Sequence, residues 1–156
     1  MGDAIDSVLD LDNAHPIGID PLLDLLAAPG VTVGVVRGRC DGWRLAAALC
    51  VDLLVAGPDA TFGSAGDAYD AVLRRARALA GRHVAAYLAA TDRMVDAATA
   101  RHWGLVCIVA DDPLDAARSL REGIDQRSPM AVRTITRLTR MGAARDLRTS
   151  RVTTRH

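Results

Sequence analysis

Val31-Thr-Val-Gly-Val-Val36, Gly38-Arg-Cys-Asp-Gly42, Arg44-Leu-Ala-Ala-Ala-Leu-Cys50 and Asp52-Leu-Leu-Val-Ala56 follow one another almost without interruption, and their reading decides the fold. The first run is β-branched and bounded by Pro29-Gly30, which marks a buried strand. Arg44 to Cys50 consists of good helix formers, so a helix starts just after Gly42. The second apolar run stops at the turn Gly57-Pro58-Asp59 and reads as another strand. Strand, tight turn, helix and strand in this order make an α/β unit. The first turn of such a helix carries backbone N–H groups without intrahelical partners, and together with the helix dipole they suit a negative oxygen.

Outward from this unit the chain is mostly helical. Asp20 caps a helix with Pro21 at its first position, and Leu22, Leu23, Leu25 and Leu26 form its apolar stripe. Tyr69, Val72, Leu73, Ala76, Leu79 and Ala80 recur at helical spacing before Gly81, and Val84, Tyr87 and Leu88 continue on a second helix. Asp96 caps a third helix that stops at Gly104, and Leu105 to Val109 is a short strand. Asp112-Pro113 and Ser128-Pro129 each start a helix, with Leu114, Ala117, Leu120 and Ile124 inside the first and Val132, Ile135 and Leu138 inside the second. No internal repeat or linker divides residues 1–156, so one domain is expected. The first nineteen residues and residues 143–156 are expected to hold little stable structure.

Composition narrows the function classes. Hydrophobic residues make up 50% of the 156, yet there are only two Trp, two Tyr and one Phe, so the core is built of Ala, Val and Leu. The formal net charge is zero, which gives no global attraction to nucleic acid or membrane. All 19 basic residues are Arg, and only Arg145, Arg148, Arg151 and Arg155 cluster, in a solvated tail. Cys40, Cys50 and Cys107 lack metal-type spacing and read as reduced core residues, and His15, His83, His102 and His156 are scattered, so no metal site is expected. No apolar run reaches membrane-spanning length, and the cytoplasm is the expected compartment. Gly34, Gly38 and Gly42 match neither the dinucleotide fingerprint nor the lysine-dependent phosphate loop.

The central stretch resembles the signature of the crotonase (enoyl-CoA hydratase/isomerase) superfamily: a strand, Gly-x-x-x-Gly-Gly-Gly, a helix ending near Cys-Asp, a strand, then Ala and Phe-Gly. Gly38 and Gly42 fall on its glycines, Asp52 on its aspartate, and Ala60, Phe62 and Gly63 on its closing residues. Thr91-Asp-Arg-Met-Val-Asp-Ala97 and Ala100-Arg-His-Trp-Gly-Leu-Val106 are similar to the family's downstream motifs, so the likeness runs over roughly residues 20 to 141. It implies a partial spiral of ββα turns followed by a helical C-terminal part. It also implies a site for an acyl-CoA thioester, bound as substrate with no further cofactor, in which Gly38, Gly42, Ala46 and Gly66 line the substrate position. Asp52 takes a structural, hydrogen-bonding role.

The departures are chemical. Family hydratases hold water between two glutamates, and those positions are Ala46 and Gly66 here. The oxyanion glycine is Trp43, which retains a backbone N–H, and its neighbour is Arg44. Asp67, one residue past the second glutamate position, is the candidate acid/base; a solvated loop aspartate is the simpler account of it. Trp43 is either a lid over an acyl pocket or a space filler, and Trp103 is a packing residue. The family's other oxyanion donor comes from an N-terminal loop, and this chain begins at about the point where that loop would end. The expected function is acyl-thioester binding with weak or no hydration. The alternatives are a non-catalytic homologue or partner subunit of a complete crotonase, and a dehydratase- or isomerase-like helper in actinobacterial polyketide-type metabolism; in each case a homo-oligomer or association with a complete crotonase is expected.

Overall fold

In the computed structural model, which describes residues 8–154 with side chains to residue 149, β1 (Leu9–Asp10) runs through a 3-10 turn (Leu11–Asn13) and an extended stretch into α1 (Asp20–Leu26). Then come β2 (Val33–Val36), β3 (Arg39–Cys40), α2 (Gly42–Ala48), β4 (Leu53–Ala56), β5 (Thr61–Gly63) and a second 3-10 turn (Gly66–Ala68). α3 (Tyr69–Ala80), α4 (Arg82–Ala90), β6 (Met94–Asp96), α5 (Ala97–His102) and β7 (Ile108–Val109) follow. α6 (Pro113–Asp125), α7 (Pro129–Thr139) and α8 (Ala143–Thr154) complete the described chain.

One sheet is parallel throughout, in the order β1-β2-β4-β7, with Val33, Gly34, Val35 and Val36 in register with Leu53, Leu54, Val55 and Ala56. The two-residue period of a strand divides these runs between two faces. Val33, Val35 and Val55 pack with Ala117 of α6, whereas Val36, Leu54 and Ala56 belong to the larger core around α2. Leu45, Ala46, Ala47, Ala48, Leu49 and Cys50 are all at most 2% exposed, so α2 is buried on every side from Leu45 onward. Gly34 permits this approach: a Cβ there would lie 3.0 Å from Leu11 Cδ1 and 3.2 Å from Val51 Cγ2. A second, mixed sheet, β3-β5-β6, runs beside the first and carries the chain from the α2 turn to α5.

Local signals are met at most helix starts. The Asp96 carboxylate accepts from Thr99 N at 2.8 Å, and the Asp112 carboxylate accepts from Asp115 N at 3.0 Å, satisfying first-turn donors of α5 and α6. α1 begins one residue earlier than expected, with Ile19 in the cap position. The strand expected over Leu105 to Val109 shortens to Ile108–Val109, because Leu105 N already bonds Ala100 O behind α5.

Both ends depart from expectation. Within the first nineteen residues, Leu9 and Asp10 pair in parallel with Gly34 and Val35, so β2 is not a sheet edge along that part of its length. Asp12 fixes the turn that follows: its carboxylate accepts from Arg37 N at 2.8 Å and Gly38 N at 3.0 Å. Asp10 is held below the usual carboxylate range although burial opposes this, because Asn13 and Arg37 both donate to it. At the other end, α8 buries Ala143 at 5% and Leu147 at 0% exposure in the main core, which explains its order. The tail residues Arg151, Arg155 and His156 lie outside the described side chains.

Arg140, just past α7, ties the layers together. Its Nε donates to Asp52 Oδ1 at 3.0 Å and its Nη2 to Asp52 Oδ2 at 2.6 Å. The same guanidinium reaches the carbonyls of Leu26, Ala28 and Gly30 at 3.2, 2.6 and 2.6 Å. Asp52 also accepts from Thr32 N at 2.7 Å, in accord with its structural role. The two side chains are 11% and 12% exposed, so removing one partner strands a largely buried charge. Arg140→Ala is expected to lower stability in urea unfolding by about 3–5 kcal/mol. A loss below about 1 kcal/mol, the range of solvent-screened surface pairs, would show that the clamp is dispensable.

Candidate functional site at the first turn of α2

Gly42 turns the chain from β3 into α2 with φ +53°, a conformation that favours glycine, and its N–H donates to Ser64 O at 3.0 Å. Asp41 stands in the cap position with extended backbone, and its carbonyl accepts from Leu45 N at 3.1 Å. Its carboxylate does not cap the helix; it accepts from Arg39 Nε at 2.9 Å. The Trp43 N–H therefore sits in a first turn that no side chain of the cap residue closes, with no carbonyl of its own helix behind it.

Arg44 holds the other wall. Its Nε and Nη2 donate to Ala14 O at 3.4 and 3.2 Å, and its Nη1 donates to Arg39 O at 3.4 Å. Ala14, His15, Pro16 and Ile17, with Asp41 and Arg44, enclose a recess of about 230 Å³. A segment of the first nineteen residues thus faces the beginning of α2, where sequence reading expected no structure. Pro16 and Gly18, the latter at φ +85°, carried the available signal: they mark a turn in a fixed loop.

The expected site residues are only partly brought together. Gly42, Trp43 and the turn containing Gly66 and Asp67 meet at one end of α2, because Gly42 is bonded to Ser64 and that turn packs on α2. Trp43 is half-buried and packs on the main core, as a space filler does. Gly38 is near in sequence, but its N–H is already taken by Asp12. Ala46 is 0% exposed within the core. Gly66 is exposed with φ +55°, and Asp67 beside it is also exposed. None of these six residues lines the recess itself. Trp103 meets Tyr87 edge to face, with ring centroids 5.4 Å apart, as a packing residue.

Chemically, this end of α2 offers backbone donors and a guanidinium, without a pair of carboxylates converging on one point. Among the described residues no group of three or more His, Cys, Asp or Glu is placed to hold a metal ion. No helix there is long and apolar enough to cross a membrane. Cys40, beside this turn, is fully buried, and that burial pushes its thiol well above its ordinary range and disfavours the thiolate.

No family model matches the chain. A curated relative, probable enoyl-CoA hydratase 2, mitochondrial, of Arabidopsis thaliana, is 29% identical over 118 residues, which are 71% of this chain and 38% of that protein. Among solved structures, ThnE from S. clavuligerus superposes with TM-score 0.75 at 22% identity, over 85% of this chain and 73% of its own. A monofunctional enoyl CoA isomerase from M. smegmatis superposes with TM-score 0.72 at 26% identity, over 78% of this chain and 61% of its own. The chain thus spans well under half the length of its curated relative. The parallel sheet wound around α2, the glycine turn before it and these likenesses together show that the chain has the fold of the crotonase-superfamily enoyl-CoA hydratase/isomerase proteins it resembles.

Proposed function

We propose that the chain binds an acyl-CoA-type thioester at the first turn of α2 and hydrates it weakly or not at all. The observation that carries this reading is the contrast within α2: the Trp43 N–H remains at the open first turn, while Ala46, one turn on, is a fully buried methyl where a hydratase needs a carboxylate. Gly66, the second such position, has no side chain, and its φ of +55° would strain a glutamate placed there. An oxyanion donor contributes roughly 2.7–4 kcal/mol to a transition state, whereas each missing acid/base group removes about 10²–10⁴-fold in rate.

Calorimetric titration with crotonyl-CoA and a hydration assay on the same sample test this directly. Saturable binding is expected, with turnover several orders of magnitude below that of a complete hydratase. Trp43→Pro, which deletes the N–H at a helix position that tolerates proline, should weaken binding. Trp43→Gly keeps the donor and opens space, so it should strengthen binding. Robust hydration by the unaltered chain would refute the reading.

A second reading, double-bond isomerisation with Asp67 as the only base, draws on two observations. The turn carrying Asp67 packs on α2, and one carboxylate suits isomerisation better than hydration. The likeness to the M. smegmatis isomerase is in keeping with it. Asp67→Asn should abolish isomerase or proton-exchange activity and leave thioester affinity within a few fold. Activity that persists in this variant would remove Asp67 from the mechanism.

The non-catalytic alternative, self-association or association with a complete crotonase, draws on α7. Met130, Ile135 and Leu138, with Met141 beyond its end, are 70%, 49%, 56% and 74% exposed, an unusual concentration of apolar surface. Sedimentation at high protein concentration should reveal self-association; a monodisperse monomer would rule it out.

A further inference from the structure

At the opposite, C-terminal end of α2 lies a cavity of about 550 Å³ between the start of β4, α3, α6 and α7. Leu26, Val51, Leu120, Ile124, Val132 and Ile135 make its wall predominantly apolar, and its size is within the roughly 300–1,000 Å³ of small-molecule sites. Three arginines line it, Arg75, Arg127 and Arg140, against one carboxylate, Asp52. Arg140 holds that carboxylate bidentately. Arg75 and Arg127 are therefore left without an anionic partner among the described residues.

Arg75 is the unusual member. It is only 9% exposed, and its neighbour Arg74 takes the nearby Asp70 at 3.2 Å. Its Nε donates to Leu49 O at 3.0 Å, at the C-terminal cap of α2, where the helix dipole gives partial compensation. The Cys50 thiol beside it is no counter-ion, because burial pushes it up to about 11 in spite of the nearby guanidinium. A buried guanidinium without a full negative charge is costly, and it lines an apolar cavity. The periodicity of α3 already held the signal: Arg75 interrupts the stripe Val72, Ala76, Leu79 at a position facing inward.

We propose that this cavity binds a fatty carboxylate, with the alkyl chain against the α6 and α7 side chains and the carboxylate on Arg75. A guanidinium fork matches a carboxylate in plane and in spacing, and a buried guanidinium without an anionic partner in a predominantly apolar wall selects an anionic head on an apolar body. The site is separate from the thioester position at the other end of α2 and does not depend on it. Gly123 supplies an independent handle: it lines the cavity, and a Cβ there meets nothing within 4 Å.

The test is calorimetric titration of the full chain with decanoate and, separately, with decan-1-ol. The unaltered chain should bind decanoate at least about tenfold more tightly than the alcohol, the preference expected of a charge-assisted hydrogen bond. Arg75→Met should lose that preference while retaining the alcohol's affinity. Gly123→Leu, which replaces a poor helix former by a good one, should leave the fold intact and weaken both ligands by occupying cavity space. Equal affinity for decanoate and decan-1-ol, no binding of either, or a preference that survives Arg75→Met would each overturn the proposal. If Arg75→Met fails to fold, the comparison of the two ligands and the Gly123→Leu variant still decide it.

Discussion

The Arg140 guanidinium is the junction on which the layered arrangement rests. It bridges the Asp52 carboxylate and the carbonyls of Leu26, Ala28 and Gly30, so one side chain connects the end of α7, the exit of α1, the entry to β2 and the start of β4. Each of those chain segments would otherwise carry unsatisfied polar groups into a region of low exposure. Arg121 makes the corresponding link from α6, donating to Val31 O at the same end of the sheet. The apolar core supplies most of the burial, but it is built of small, interchangeable Ala, Val and Leu side chains. Directional bonds at the sheet's N-terminal end fix which helix lies where.

Legibility from sequence followed the distance over which each signal acts. β4 lies at Leu53–Ala56 as its apolar run and turn foretell, and β2 and α2 differ from expectation by two residues or fewer. Asp96, Asp112 and Ser128 mark helix starts because a cap is satisfied within three residues of itself. β3, β5 and β6 are two or three residues long, too short for any periodicity, and exist because Arg39 and Cys40 pair with Thr61 and Phe62 far along the chain. β1 failed to announce itself for the same reason. Arg140 looked like one more basic residue, since nothing around it in sequence mentions Asp52.

The residues of the candidate site are a sequence expectation, and their grouping in space was legible only in part. The spacing after Gly38 located the start of α2, and the absence of carboxylates at positions 46 and 66 follows directly from the sequence. What spacing does not contain is the facing wall. Ala14 to Ile17 reach α2 because Arg44 bonds Ala14 O and because Asp12 pins the end of β2. A cation in the first turn of a helix opposes the dipole, and the two carbonyls on Arg44 offset that conflict. The outcome is a recess that one arginine, Arg44, and one aspartate, Asp41, line together, a different electrostatic setting from one in which two carboxylates hold a water.

These constraints give α2 two chemically distinct ends. α2 is half-buried at its first turn and buried on every side from Leu45 onward, so its last C=O groups must find partners in their surroundings while the Trp43 N–H in its first turn stays open. At the first turn, Ser64 O and the neighbouring guanidinium leave the Trp43 donor available for an oxygen acceptor. At the last turn, the carbonyl of Leu49 draws in Arg75, and by doing so brings a positive charge to the wall of an apolar cavity. The same dipole therefore favours an anionic oxygen directly at one end and, through an attracted arginine, at the other. On the proposed reading, Ala46 and Gly66 leave this fold without an acid/base pair and yet keep the physical reasons for an anion to approach either end of its central helix.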